Sequence, residues 1–276
     1  MDQLKFNLSD PLSLSNIRAC LEASRLAYAS PTYTDLASGE SVFIEDCGNC
    51  VVVAFPGTHD LKDVCRDLDC LRREVMIAGR PCAVHKGFDD TFQALQGCIV
   101  KMLKQFNAST PLFFTGHSKG AAVAKRFAVE FALADSALHN PHSAITFGEP
   151  RGGDFRYRAI YDSVFGHCTL RITNAADPVP WMPAWIAGNR HCGPEGYLPP
   201  DNVRTLQRLN GATELVVGPK LWWKVLLSAG EIYRAWRSKE IALLADHHIS
   251  SYIQRVDSLG SMEAPSVIAT SAGKPG

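Results

Sequence analysis

Residues 112–120 read LFFTGHSKG, and this stretch decides the fold. An apolar run, 112–115, enters Gly116-His117-Ser118-Lys119-Gly120, and the small residues from Ala121 onward suit a helix. Gly-x-Ser-x-Gly between a strand and a helix is the pattern of a nucleophile elbow. The serine sits on a strained strand-to-helix turn, and the glycines two positions either side keep side chains off the neighbouring strand and helix. Such a turn exposes Ser118 Oγ above the sheet edge, and the helix N-terminus behind it favours developing negative charge. The five-residue pattern alone arises by chance; the strand before it and the helix after it give it weight.

Working outward, Phe92, Leu95, Ile99, Leu103 and Phe106 recur at helical spacing and feed the strand before Ser118. Ile17, Cys20, Leu21, Ser24 and Tyr28 mark an amphipathic helix that ends before Pro31. Residues 42–45 and 51–55 read as strands joined by the turn Asp46-Cys47-Gly48-Asn49. Two more strands, 144–147 and 169–173, follow the elbow helix. Strands alternating with helices predict an α/β architecture with a mostly parallel central sheet flanked by helices. Residues 178–218 are rich in Pro and Gly and read as an irregular, loop-built wall. With no internal repeat or linker, residues 1–262 read as a single domain, and 263–276, ending SAGKPG, as a disordered tail.

The 276 residues are 46% hydrophobic, enough for a sizeable core. Lys+Arg and Asp+Glu both number 28, so no basic field suggests nucleic acid. No run of about 18 apolar residues predicts a transmembrane segment. The opening MDQLKFNLSDPLSLS lacks the basic-then-apolar order of a secretory signal. Nine cysteines, an odd number at irregular spacing, fit reduced thiols, and a cytoplasmic chain is expected. Cys47 and Cys50 form a C-x-x-C without a second ligand pair, so they read as a thiol-bearing hairpin turn rather than a zinc site.

A serine nucleophile needs a base within hydrogen-bond reach and a third group to orient that base. In α/β-hydrolases these follow in the order Ser, Asp/Glu, His. Asp177 lies in Asn174-Ala175-Ala176-Asp177-Pro178, directly after the 169–173 strand. Pro178 biases it toward an extended conformation at the C-terminal rim of the sheet, where open α/β sheets place their sites. An ordinary turn aspartate before proline would look the same. Near the end, Asp246-His247-His248 offers two adjacent histidines. Neighbours on a helix point about 100° apart, so only one of them faces Ser118. His117 is on the wrong side of the nucleophile to be its base. His59, His85, His139, His142, His167 and His191 read by default as loop or surface residues.

The chain resembles the class 3 lipases, the fungal-lipase-like α/β-hydrolases, over roughly residues 15–255. Five stretches in family order carry the resemblance: Ala54-Phe55-Pro56-Gly57-Thr58, Val84-His85-Lys86-Gly87-Phe88, Gly116-His117-Ser118-Lys119-Gly120, Thr146-Phe147-Gly148-Glu149-Pro150-Arg151, and Asn174-Ala175-Ala176-Asp177-Pro178-Val179-Pro180. Arg190-His191-Cys192-Gly193-Pro194-Glu195-Gly196-Tyr197 resembles a further family segment. The family's basic residue is often followed five positions later by tyrosine, which selects His247 through Tyr252. The resemblance also implies an oxyanion hole at Thr58 and the backbone N–H of Lys119. Two preorganised donors suit a tetrahedral intermediate, each worth roughly 10²–10³ in rate.

The resemblance therefore implies a carboxylic ester hydrolase working through an acyl-enzyme, with Ser118, Asp177 and His247 as its triad and no metal or organic cofactor. Its expected partner is an acyl ester or lipid, with transient contact at a lipid interface. A phospholipase A1 or an acyltransferase would use the same triad; a non-catalytic lipid-binding or scaffold relative, or a serine peptidase, is a further alternative. Two departures bear on substrate. Pro56 stands where the family usually has Arg, and Lys119 where it usually has an apolar residue. A cation beside the nucleophile either favours anionic substrates such as phospholipids or points into local structure. The 59–83 interval, where the family carries a lid, is densely charged and reads as a structural connection, which favours an esterase. A helix over 221–245 with Trp222 and Trp236 on its apolar face reads as core, with a cap over the acyl pocket as the alternative.

Overall fold

The computed structural model describes residues 3–58, 71–134, 141–174, 177–183, 188–198, 206–209, 245–259 and 268–270. Among these, the strands are β1 (Tyr33–Thr34), β2 (Ser41–Asp46), β3 (Val51–Phe55), β4 (Arg72–Ile77), β5 (Arg80–His85), β6 (Leu112–His117), β7 (Pro141–Phe147), β8 (Thr169–Asn174), β9 (Glu195–Leu198), β10 (Leu206–Leu209) and β11 (Ile268–Thr270). The helices are α1 (Leu14–Ala29), α2 (Lys86–Leu103), α3 (Lys119–Leu133), α4 (Phe155–Val164) and α5 (Ile249–Ser258).

One sheet runs β1-β2-β3-β6-β7-β8-β9-β10-β11, and β4 and β5 form a separate antiparallel hairpin. Its centre, β3 through β9, is parallel. Parallel strands are covered on both faces, so they read as continuous apolar runs. VVVAF in β3 and LFFTGH in β6 are buried at every position. The two-residue strand period divides them between two cores. Val51, Val53, Phe55 and Phe114 pack with Phe92, Val123 and Phe127 from α2 and α3. Val52, Ala54 and Phe113 pack with Ile17 and Leu21 of α1 and with Tyr252 and Val256 of α5. Caps fix the helix starts: Ser13 accepts from the Asn16 N–H, and Asp154 from the Tyr157 N–H.

The α/β sheet expected from the sequence is present. Residues 72–83 of the charged interval belong to the β4–β5 hairpin, which runs on to His85, whereas 59–70 lie outside the described residues. The 178–218 stretch is less irregular than its composition suggested, since β9 and β10 extend the sheet. The 221–245 helix expectation falls almost wholly outside the described residues. Within 263–276, Ile268–Thr270 pairs in parallel with β10.

Candidate active site

β6 delivers Ser118 to the start of α3 with φ 57° and ψ −129°, a conformation that costs a non-glycine residue about 1–3 kcal/mol. The Ser118 N–H donates to the Phe147 carbonyl at 2.9 Å, and the Ser118 carbonyl accepts from Ala121 at 3.0 Å, so both flanks brace the turn. The elbow glycines have steric reasons. A Cβ on Gly116 would sit 2.4 Å from the Gly120 oxygen, and one on Gly120 only 2.2 Å from the Phe55 oxygen. The elbow is thus pressed against the end of β3, which continues into Gly57 and Thr58. A Cβ on Gly57 would lie 2.8 Å from Ser118 Cβ, so these residues run beside Ser118. Thr58 is half-buried there, and the Lys119 N–H opens α3.

Asp177 is buried in the loop after β8. Its Oδ1 accepts from the Val179 N–H at 2.9 Å. Its Oδ2 accepts from His247 Nδ1 at 2.9 Å and from the Tyr252 hydroxyl at 2.6 Å. Donation from Nδ1 leaves His247 Nε2 as the acceptor in the neutral ring. That Nε2 is buried and has no hydrogen-bond partner among the described residues. The structure therefore joins Asp177 to His247 and does not form a Ser118–His247 hydrogen bond. Gly148, at φ +58°, floors the pair: a Cβ there would lie 3.0 Å from both Asp177 Oδ2 and His247 Cε1.

The two adjacent histidines separate cleanly. His247 is 1% exposed and faces Asp177. His248 is exposed and caps α5, its side chain accepting from the Ser250 N–H. Asn174, at the end of β8, holds this segment in place. Its Nδ2 donates to the Asp246 carbonyl at 2.8 Å and to Ser251 Oγ at 3.0 Å, and its N–H donates to the Tyr252 hydroxyl at 3.2 Å. Burial, followed by the neighbouring Asp177 charge, pushes the Tyr252 phenol well above its usual range. It stays a donor to the carboxylate.

Lys119 points into local structure: its Nζ pairs with Glu40 Oε1 at 2.5 Å. Sequence reading gave no role to Glu40, nor to Tyr28, whose hydroxyl meets His117 Nδ1 at 2.8 Å. The default loop-or-surface reading is corrected for one histidine, His85. His85 is fully buried at the end of β5 and stacks on Phe88, whereas His191 is a half-buried loop residue with its Nε2 2.7 Å from the Pro180 carbonyl. His59 and His139 lie outside the described residues.

Burial holds His117 and His191 well below the usual histidine value of 6.5. Both stay neutral in the fold while the unfolded chain takes up protons, so stability is intact above pH 6.5 and is lost as pH falls. One pH unit is worth roughly 1 kcal/mol per histidine. Urea unfolding at pH 7.5 and 5.5 should differ by about 2 kcal/mol in stability, and His117→Gln should remove about half of that difference. Equal values at the two pH settings would show that these histidines ionise alike in both states.

A strained serine at the rim of a parallel sheet, with a buried Asp–His pair beside it, defines an α/β-hydrolase. Within that class, residues 52–186 match the family model described as Lipase (class 3), and over that span the chain is similar to the class 3 lipases. It is similar to secreted mono- and diacylglycerol lipase 1 of Fusarium solani, 27% identical over 179 residues, covering 63% of this chain and 52% of that protein. It is also 26% identical over 182 residues to secreted mono- and diacylglycerol lipase A of Penicillium cyclopium, covering 65% and 57%. The chain spans about half the length of these curated relatives. Among solved structures it resembles a triacylglycerol lipase whose catalytic centre is formed by a serine protease triad. The TM-score is 0.51 and the identity 25%, over 60% of this chain and 64% of that one. The cytoplasmic expectation is corrected by these findings, since the relatives are named as secreted and point outside the cell. Among the described residues, no helix is long and apolar enough to cross a membrane.

Proposed function

We propose that this chain is a serine carboxylic ester hydrolase that cleaves acyl esters through an acyl-enzyme, with residues 1–262 acting as one α/β-hydrolase domain. The observation that carries the reading is the Asp177–His247 pair, buried beside a serine in a strained elbow. Ser118 Oγ attacks the ester carbonyl as His247 Nε2 takes its proton. Asp177 orients the ring and stabilises its cationic form. Thr58 and the Lys119 N–H receive the oxyanion. The alcohol leaves with the proton from His247, and water activated by the same ring releases the acid. The relatives named as mono- and diacylglycerol lipases, and the family match, support neutral glyceride esters as the substrate class. The Lys119–Glu40 pair supports the same choice, because it neutralises the cation that would have favoured an anionic phospholipid.

The test is hydrolysis of p-nitrophenyl esters of graded chain length, monoacylglycerol and phospholipid vesicles, with Ser118→Ala as the control. Expected is Ser118-dependent release from the neutral esters. Activity no better than the control would sink the reading, and activity on phospholipid alone would replace it with a phospholipase.

A further inference from the structure

His247 lies in a single 3-10 turn, 245–247, ahead of α5, closed by one long backbone hydrogen bond from the His248 N–H to the Ala245 carbonyl at 3.3 Å. Its side chain is held by Asp177; a different group holds its main chain. His117 Nε2 lies 2.7 Å from the His247 carbonyl. A carbonyl only accepts, so Nε2 carries the proton, and the neutral His117 ring then accepts at Nδ1. The partner at Nδ1 is the Tyr28 hydroxyl at 2.8 Å, which must donate. That hydroxyl takes a hydrogen bond in turn from the Gly57 backbone. The His117 ring also stacks on that of His247, with centroids 4.7 Å apart at 30°, and Tyr252 closes its edge at 5.7 Å.

Building on the hydrolase reading above, we infer that Tyr28 and His117 are positioning residues, a polar relay that locks the oxyanion segment at Gly57 to the backbone of the general base. The chain of donors runs one way: Gly57 N–H to Tyr28, Tyr28 to His117, His117 to the His247 carbonyl. Two parts of the site that must hold register in the transition state are thereby tied through residues that touch no reacting atom. A shift of about 1 Å in such a group costs up to 10²-fold in rate. The aromatic packing alone would need no polar atoms at these positions. A half-buried tyrosine reaching from the last turn of α1 to a buried, proton-directed imidazole serves the geometry of the base.

The relay is tested in the full chain with Tyr28→Phe, His117→Leu and His117→Gln, assayed on the best neutral ester, with folding checked by urea midpoints. Expected for Tyr28→Phe is a kcat about tenfold lower with KM within twofold. His117→Leu should lose about thirtyfold or more in kcat. His117→Gln, whose amide can accept and donate as the neutral ring does, should stay within about threefold of wild type. The rate of Ser118 modification by an organophosphate ester should fall in the same order, since it needs the base and not the acyl contacts. Folded Tyr28→Phe with wild-type kcat, a loss confined to KM, or His117→Gln as impaired as His117→Leu would overturn the relay while leaving the hydrolase reading intact. If His117→Leu does not fold, the Tyr28→Phe result decides. A wild-type chain no faster than Ser118→Ala would overturn both.

Discussion

Exchanging Asp177 for asparagine should lower kcat on neutral esters by roughly 10³–10⁴, with KM little changed and folding retained. The reason lies in the number of donors around this carboxylate. Oδ2 accepts from His247 Nδ1 and from the Tyr252 hydroxyl, and Oδ1 accepts from the Val179 N–H. An amide offers one acceptor where three donors converge. With its oxygen toward His247 and Tyr252, its NH₂ meets the Val179 N–H. With its NH₂ toward His247, the imidazole loses its Nδ1–H partner and takes the other tautomer, which protonates the nitrogen proposed to receive the Ser118 proton. Tyr252 biases the choice toward the first orientation, so Tyr252→Phe in the asparagine background should lower kcat further. Tyr252→Phe alone should cost about tenfold, because the carboxylate keeps its other donors. Steady-state kinetics of the two single variants and the double variant check this. Asparagine with more than a tenth of wild-type kcat would remove Asp177 from the proposed triad.

Much of the sheet was legible because its strands are buried on both faces. VVVAF has no polar residue and LFFTGH opens on three apolar ones, and every position of both is buried, the signature a parallel sheet under helices leaves. The β4–β5 hairpin was not. RREVMI exposes Arg72, Glu74 and Met76 on one face, so its charge density concealed a strand alternation. Ser118 and Asp177 stood out because each follows directly on a strand that announces itself. The histidine pair could not be separated by geometry along the chain. The choice is made by α5, which uses His248 as its cap and so turns His247 inward. Tyr28 and Glu40 had no local signal, since their partners, His117 and Lys119, lie 89 and 79 residues away. Sequence period reports which face of an element is apolar; it does not report which polar tip on that face meets another.

Glu149→Ala should destabilise the fold by about 3–4 kcal/mol, a fall of roughly 10 °C in Tm. Lys125, in the elbow helix, is 2% exposed and pairs with Glu149, also 2% exposed, at 2.8 Å. Its Nζ also donates to the Cys192 carbonyl at 2.5 Å and lies 5.4 Å from the centre of the Tyr161 ring. Thr146 Oγ1 donates to the same Glu149 oxygen at 2.6 Å. Removing the carboxylate therefore leaves a buried ammonium without its counter-charge and a buried hydroxyl without its acceptor. Burial already lowers the Lys125 pKa against the pull of Glu149, so in the alanine variant the lysine can shed its proton, which sets the cost at the lower end for a broken buried pair. Replacing both ends, Lys125→Met with Glu149→Leu, should recover most of the loss, since a well-packed apolar pair avoids the desolvation of two charges. Thermal unfolding of the single and double variants discriminates: a double variant as unstable as Glu149→Ala would place the cost in Thr146 and packing instead of charge. The consequence reaches the site. Glu149 follows Gly148, the floor beneath Asp177 and His247, and Lys125 lies two turns into the helix that begins after Ser118. The buried pair thus fastens the helix behind Ser118 to the strand end beneath His247. Glu149→Ala should lose kcat well below its melting temperature, while the apolar double variant should regain stability and activity together.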